Sequence, residues 1–175
     1  MIKQDILEKP AKSSYLGIGS NLGDRFSNIK KTMKLLNENN ILIEDCSSYY
    51  ETPSWPNKNF PKYLNLVIKI KTETSLLNLF TIIKKIEKKI GRKKSYKNHP
   101  RVCDIDILDY RGLCLKYRTK NIEIITPHPR MHKRNFVIFP LHEVNKSWIH
   151  PKTKANINSI IHQFNYVDFS DIRIV

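Results

Sequence analysis

Two aspartates, Asp104 and Asp106, lie two residues apart in an apolar run of the chain. Because side chains alternate between the faces of a β-strand, a strand here directs both carboxylates to one face, about 6.6 Å apart, and Ile105 and Ile107 to the other. Two like charges on one face disfavour each other's ionised form unless a cation lies between them. Mg²⁺ suits the pair, because it binds one or two carboxylates together with water and substrate phosphates. The alternative is a solvated polar strand face.

Basic side chains flank the aspartates on both sides in sequence. Those that precede them are Arg92, Lys94 and Arg101. Downstream, His128 lies between two prolines that restrict the local backbone, and Arg134 follows. Cationic groups beside magnesium-binding carboxylates are what a polyphosphate needs, so these residues are predicted phosphate contacts. The lysines at positions 84, 85, 88 and 89 are instead interpreted as a solvated helix face.

Two segments are predicted to be loops beside this site. Residues 52–61 contain three prolines and a tryptophan, which argues against a helix or an inner strand, and we name this segment the proline loop. The strand after it places Tyr63 and Asn65 on one face by the period of two. The second segment is the basic loop, residues 92–99. Both loops are expected to close over a substrate.

The composition limits the class of protein. A chain of 175 residues suffices for one domain with a core, predicted over residues 14–175 after a flexible extension at residues 1–13. The net charge of +15 indicates an anionic partner. The cysteines are odd in number and lack CxxC spacing, so a cytoplasmic location without a disulfide framework is expected. No run reaches the length of a membrane span.

Hydrophobic periodicity predicts the order strand, helix, strand, strand, helix, strand up to the aspartates. The first helix has an apolar stripe of Phe26, Ile29, Met33 and Leu36, and the second is expected to end at Gly91. The remaining strands are predicted over residues 14–19, 41–50 and 63–72. This order is typical of an α+β fold, the ferredoxin-like βαββαβ sandwich, whose antiparallel sheet has helices on one face. A short C-terminal hairpin and a helix over residues 157–164 complete the prediction.

Other functional classes share parts of this pattern. The same element order occurs in RNA-recognition domains, and the positive charge suits them. The aromatic RNP pattern is absent, however, and a carboxylate pair in an inner strand repels phosphates unless a metal is bound. A P-loop kinase is excluded because neither GxxxxGKS nor GxxxxGKT occurs. We therefore expect neither nucleic acid nor a membrane as partner.

Four sequence blocks together resemble one family, the 6-hydroxymethyl-7,8-dihydropterin pyrophosphokinases of folate biosynthesis. In chain order they are Gly17-Ile18-Gly19-Ser20-Asn21-Leu22-Gly23-Asp24-Arg25; Tyr50-Glu51-Thr52-Pro53 with Tyr63-Leu64-Asn65; Pro100-Arg101 with Asp104-Ile105-Asp106-Ile107-Leu108; and Pro127-His128-Pro129-Arg130-Met131 with Arg134, Phe136 and Pro140-Leu141. The resemblance covers residues 15–143 in the family's order, which makes the set specific. Family members often have Trp-Gly where this chain has Asn98-His99.

The resemblance implies that ATP donates its pyrophosphoryl group to the hydroxymethyl oxygen of the pterin, with release of AMP and with two Mg²⁺ ions as cofactors. The implied partners are small molecules, ATP and hydroxymethyl dihydropterin, and a monomer is expected. The implied metal ligands are Asp104 and Asp106.

The resemblance also assigns roles to the other site residues. The implied catalytic residues are Arg92, Lys94, Arg101, Asp104 and Asp106. The implied ATP contacts are Glu87, Arg92, Lys94, Arg101, His128 and Arg134. The pterin ring would lie between Tyr63 and Phe136, and its edge would meet Asn65, Asp104 and backbone groups of Thr52, Pro53 and Trp55.

Overall fold

A twisted antiparallel sheet of six strands lies at the centre of the described part of the protein. The computed structural model describes residues 13–93, 98–120 and 122–175. Its strands are β1 (Ser14–Ser20), β2 (Leu42–Cys46), β3 (Tyr50–Thr52), β4 (Tyr63–Lys71), β5 (Asp104–Asp109), β6 (Leu115–Arg118), β7 (Glu123–Thr126) and β8 (Arg173–Ile174). The central sheet has the order β5-β1-β4-β3-β8, with β2 also paired to β4. β6 and β7 form a separate hairpin, which confirms the predicted one.

Five α-helices connect or follow these strands in the described part of the chain. They are α1 (Arg25–Glu38), α2 (Leu76–Ile90), α3 (Asn135–Val144), α4 (Ile157–Ile161) and α5 (Tyr166–Ser170). From β1 to β5 the order is that of the predicted ferredoxin-like sandwich, and this prediction is confirmed. Asp24 begins α1 by accepting a hydrogen bond from the Ser27 amide at 3.0 Å. Gly91 ends α2 in the left-handed region, at φ +107°, as predicted.

The strand predicted over residues 41–50 is interrupted in the structure. β2 ends at Cys46 and β3 begins at Tyr50, and both pair with the same neighbour, β4. At the break, the Ser47 hydroxyl accepts a hydrogen bond from the Val67 amide at 3.0 Å, so a side chain replaces a backbone acceptor of the ladder. The edge next to β4 is therefore built from two short strands.

The first face of the sheet is covered by α1 and α2, as predicted. Its core contains Leu16 and Ile18 of β1 with Ile105 and Ile107 of β5. The stripe predicted for α1 is correct at Ile29 and Leu36 and wrong at Phe26, which is 40% exposed and packs edge-on against Tyr49. Burial of such aliphatic side chains stabilises the fold by about 1.5–3 kcal/mol each.

Helices cover part of the second face as well, which corrects the expectation of helices on one face only. A second core there joins Tyr15, Val67 and Leu108 of the sheet to α3 and α4. No helix was predicted over α3, which contains Pro140, a residue that normally disfavours a helix interior. The part of this face that α3 leaves uncovered contains the aspartates.

Some predictions concern the ends of the chain and its surroundings. The helix predicted over residues 157–164 is present as α4 but ends at Ile161, and α5 and β8, which follow it, were not predicted. Residues 1–12 of the predicted extension, and Lys94 in the basic loop, lie outside the described residues. Within the described ranges, every helix is too short or too polar to cross a membrane.

His150 links stability to pH. Its ring is 4% exposed, and its Nδ1 accepts hydrogen bonds from the amides of Lys152 and Thr153, both at 3.2 Å. Burial, with smaller effects of His132 and Lys152, lowers the pKa of His150 below its ordinary value of 6.5. The unfolded chain therefore binds a proton that the folded chain does not, so stability is full above pH 6.5 and decreases as pH falls.

The variant His150→Asn tests this link. Asparagine offers a side-chain oxygen to the same amides but does not titrate. We expect the melting temperature of the variant to decrease less than that of the wild type between about pH 7 and pH 5. Equal decreases in the two proteins would contradict the assignment.

Candidate active site

Glycines form the floor of a cavity on the uncovered face of the sheet. Gly19 of β1 lies opposite Asn65 of β4 and Asp104 of β5, and Gly17 lies opposite Asp106. The cavity measures about 650 Å³. A Cβ atom at Gly19 would come within 2.9 Å of the Asn65 Oδ1 atom, so only glycine leaves Asn65 in place. Because Gly17 and Gly19 have no side chains, ligands have access to the backbone of β1 at these two positions.

Both aspartates line this cavity, on one face, as their spacing predicts. Asp104 accepts hydrogen bonds from Arg92 at 2.7 Å and from Arg101 at 3.1 Å, each through an Nη1 atom. Asp106 accepts one from Arg134 Nη1 at 2.8 Å. Each carboxylate thus has its own guanidinium partner, which compensates the repulsion between two like charges.

Glu87 is buried behind this cluster, and its predicted contact with ATP stays a prediction. It is 2% exposed and is absent from the cavity wall. Its Oε1 accepts a short hydrogen bond from Arg92 Nη1 and another from the Ile105 amide at 2.9 Å, and its Oε2 pairs with Lys84 at 2.8 Å. We conclude that Glu87 positions Arg92 and the start of β5.

The same contacts correct the interpretation of Lys84. It lines the cavity and is not simply part of a solvated helix face.

Burial opposes the charge of Arg92, but the carboxylates of Asp104 and Glu87 outweigh this effect and raise the pKa of the guanidinium. Arg92 is therefore held as a cation at the cavity wall.

His128 also lines the cavity, 3.9 Å from Asp106 through its Nε2 atom. Burial, with Arg134 and Arg130 nearby, lowers the pKa of His128 and outweighs the opposite effect of Asp106. The ring is thus neutral at pH 7. Its Nδ1 accepts a hydrogen bond from the Arg130 amide, which leaves Nε2 as the group that can donate to a ligand.

Aromatic side chains occupy the other end of the cavity. Every residue predicted to contact the pterin lines it, namely Thr52, Pro53, Trp55, Tyr63, Asn65, Asp104 and Phe136. Asn65 is 6% exposed and donates a hydrogen bond to the Thr52 hydroxyl at 3.0 Å. The Arg134 guanidinium lies 5.5 Å from the centre of the Phe136 ring, so the aromatic groups of the cavity are in contact with its cationic groups at this point.

A buried asparagine joins the proline loop to Arg101. Asn21 is only 1% exposed, and its Nδ2 donates hydrogen bonds to Ser54 Oγ and to the Pro61 carbonyl, both at 3.1 Å. Its Oδ1 accepts from the Arg101 amide at 2.7 Å. No short-range sequence pattern indicates this role of Asn21, because Ser54 and Arg101 lie 33 and 80 residues away in sequence.

Further residues of the cavity wall were not predicted as site residues. Those with charged or amide side chains are Lys58, Lys84, Asn98, Arg130, Lys133, Asn135, Asp168 and Asp171. The basic residues near His128 have a sequence signal, namely their proximity to that histidine. No pattern in the sequence indicates Asp168 or Asp171, which reach the cavity only through the path of the C-terminal chain.

The donor set limits which metal the cavity could hold. Among the described residues, no group of three or more His, Cys, Asp or Glu side chains could hold an ion. Asp104 and Asp106 remain as two carboxylates. Mg²⁺ takes only one or two protein carboxylates and completes its shell with water and substrate phosphates, so the residues present fit that ion.

The sequence matches a family model over residues 15–146, described as 7,8-dihydro-6-hydroxymethylpterin-pyrophosphokinase (HPPK). The 2-amino-4-hydroxy-6-hydroxymethyldihydropteridine pyrophosphokinase of Aquifex aeolicus is 44% identical over 137 residues, which is 78% of this chain and 82% of that protein. Folic acid synthesis protein FOL1 of Dictyostelium discoideum is 39% identical over 144 residues, or 82% of this chain. The chain spans only 21% of FOL1.

Solved structures show the same fold at low sequence identity. The wild-type HPPK-DHPS of Plasmodium falciparum superposes with a TM-score of 0.73 at 14% identity. The match covers 93% of this chain and 48% of the Plasmodium chain, so the present chain spans about half of that protein. From the family match and the identity to the Aquifex enzyme, the chain belongs to the HPPK family, the pyrophosphokinases of folate biosynthesis.

Proposed function

We propose that this chain transfers the pyrophosphoryl group of ATP to the hydroxymethyl group of 6-hydroxymethyl-7,8-dihydropterin, with Mg²⁺ as cofactor and AMP as second product. One observation carries the proposal. Asp104 lies between the two ends of the cavity. On the aromatic side, Gly19 of β1 pairs with both Asp104 and Asn65, and on the cationic side Arg92 and Arg101 donate hydrogen bonds to Asp104. An acceptor hydroxyl and a triphosphate can therefore meet at one carboxylate.

At the cationic end, Arg92, Arg101 and Arg134 would contact the phosphates of ATP. Their guanidinium groups are already fixed by carboxylates, so little side-chain entropy is lost when phosphate oxygens bind. His128 would donate a hydrogen bond through Nε2 without adding charge. The predicted contact of Lys94 stays a prediction, since that residue lies outside the described part of the chain.

Asp104 and Asp106 would hold Mg²⁺ together with the phosphates. When bound, the metal neutralises charge that develops on the phosphates and lowers the pKa of the attacking hydroxyl group. The side chains of this protein then have three tasks, which are to align the hydroxyl with the β-phosphorus, to balance charge and to exclude water. No side-chain general base is required in this scheme.

At the aromatic end, the pterin would stack between Tyr63 and Phe136, an arrangement that flat heteroaromatic rings favour. Asn65 is oriented by its bond to Thr52, so its Oδ1 atom lies beside Gly19 as an acceptor for a ring N–H group. A ring contact between Phe60 and His99, at 5.5 Å, already joins the proline loop to the basic loop. We infer that both loops cover the bound substrates.

Phosphorus NMR of the products tests the reaction. With ATP, Mg²⁺ and the hydroxymethyl dihydropterin, we expect AMP and a pterin diphosphate to form together. ADP in place of AMP would indicate ordinary phosphoryl transfer and would contradict the proposal. The monomeric state and the cytoplasmic location stay predictions.

The variant Gly19→Ala tests the pterin end of the cavity. The new methyl group would displace Asn65, which removes about one hydrogen bond to the pterin edge. We expect the KM for the pterin to rise about tenfold while the KM for ATP changes little. Gly17→Ala is the matched control, because its Cβ would only touch Leu108 at 3.4 Å. Equal effects of the two substitutions on the pterin KM would contradict the assigned position of the ring.

A further inference from the structure

The family match ends at residue 146, yet residues further along the chain also line the cavity. Residues 166–175, named here the C-terminal segment, contain α5 and β8. Asp168 and Asp171 of this segment line the cavity. The segment is tied to the aromatic end of the cavity at three places, each of which leads to a residue or loop of the proposed pterin slot.

The first tie is a strand pairing. β8 adds to the outer edge of β3, with Ile174 opposite Tyr50 and Arg173 opposite Glu51. The Val175 amide extends the contact by donating to the Tyr49 carbonyl at 3.0 Å. β3 ends at Thr52, whose hydroxyl orients Asn65. Pairing of β8 thus supports the strand that fixes the polar edge of the slot.

The second tie is an ion pair to the proline loop. Asp171 Oδ2 lies 3.1 Å from Lys58 Nζ, and both residues line the cavity. The Lys58 side chain is 68% exposed and the Asp171 side chain 35% exposed, so solvent screens the pair. Such a pair contributes little to global stability. It does restrict where the proline loop lies over the slot.

The third tie leads to the aromatic wall. Asn135 Nδ2 donates to the Asp168 carbonyl at 2.6 Å, while Asn135 Oδ1 accepts from the Phe136 amide at 2.7 Å. One side chain therefore joins the C-terminal segment to the residue that would stack on the pterin. The Phe169 ring stacks on Phe139 of the same helix at 4.8 Å, which holds α5 against α3.

We propose that the C-terminal segment sets the width of the pterin slot, with Lys58, Asn135 and Asp171 as positioning residues. The inference rests on the proposed function of the slot. It assigns a role in pterin affinity to the C-terminal segment, residues 166–175, which lies beyond the family match. None of the three residues is required for the chemistry itself. Their loss should therefore weaken pterin binding and leave kcat, the turnover at saturating substrate, unchanged.

Kinetics of Asp171→Asn and Asn135→Ala test the proposal. Each removes one tie of modest strength, so we expect the KM for the pterin to rise roughly two- to fivefold, with kcat and the KM for ATP nearly unchanged. The double variant Lys58→Asp with Asp171→Lys reverses the ion pair and should restore most of the pterin affinity. Glu123→Gln is the matched control, because it removes an exposed ion pair with Lys116 in the separate hairpin. An unchanged pterin KM in both single variants, or a parallel rise in the KM for ATP, would overturn the proposal.

Hydrogen–deuterium exchange gives a readout that does not depend on activity. In the protein without substrates, Asp171→Asn should accelerate amide exchange in residues 57–60 of the proline loop, and Glu123→Gln should not. Unchanged exchange in Asp171→Asn would overturn the proposed tie even if the wild type makes AMP. If the wild type makes no AMP, the proposed function fails, while faster exchange would still support the tie.

Discussion

Asp104→Asn is expected to lower kcat by roughly two to three orders of magnitude, with a smaller change in the KM for ATP. Asparagine preserves the shape of the side chain but removes the charge that would hold the metal between the two substrates. Arg92 and Arg101 lose their common carboxylate partner, so they remain available to phosphate and ATP still binds. Asp106→Asn should have an effect of the same kind, because it removes the second carboxylate for the metal and leaves Arg134 without its partner. Steady-state assays of AMP formation measure both.

The control for this experiment is Asp45→Asn, an exposed carboxylate of β2 outside the cavity. It should retain wild-type kinetics. Circular dichroism should show the same secondary structure for every variant. Wild-type rates of AMP formation by Asp104→Asn and Asp106→Asn in magnesium would contradict the assignment of the pair.

Glu87→Ala is expected to lower the free energy of unfolding by about 3 kcal/mol. The substitution leaves the Ile105 amide without its acceptor and Arg92 without one of its two carboxylates, in a site where Glu87 is 2% exposed. For a protein of this size the melting temperature should fall by roughly 6–12 °C. Thermal and denaturant unfolding measure both quantities.

Glu87→Gln separates positioning from direct contact. Glutamine keeps an acceptor for the Ile105 amide, so it should destabilise the protein by less than half as much. If Glu87 instead contacted ATP directly, the alanine variant would raise the KM for ATP without a change in unfolding. Glu38→Ala, which removes an exposed ion pair with Lys34 on α1, is the control and should be neutral within about 0.5 kcal/mol.

The predictions that succeeded depend on short-range periodicity. The common face of Asp104 and Asp106 follows from the period of two in a strand, and the end of α2 follows from Gly91. Such patterns are local, so a single sequence contains them in full. His128, which the two flanking prolines indicated as a candidate, lines the same cavity.

The predictions that failed depend on contacts between distant parts of the chain. α3 was not predicted, and packing of Val137, Ile138 and Leu141 against β1 and β4 stabilises that helix although Pro140 lies inside it. The buried position of Glu87 likewise depends on a contact outside its own helix, with the Ile105 amide 18 residues away in sequence. The tie between Asn135 and Asp168 spans 33 residues, and no sequence pattern encodes it.

The central claim is that one cavity holds the pterin against Tyr63 and Phe136 and the triphosphate against the arginines, with metal at Asp104 and Asp106. A crystal structure with hydroxymethylpterin, a non-hydrolysable ATP analogue and Mn²⁺ in place of Mg²⁺ tests it most directly. We predict anomalous peaks beside both aspartates and the pterin ring between the two aromatic side chains. Metal peaks away from the aspartates, or a pterin bound outside this slot, would contradict the claim.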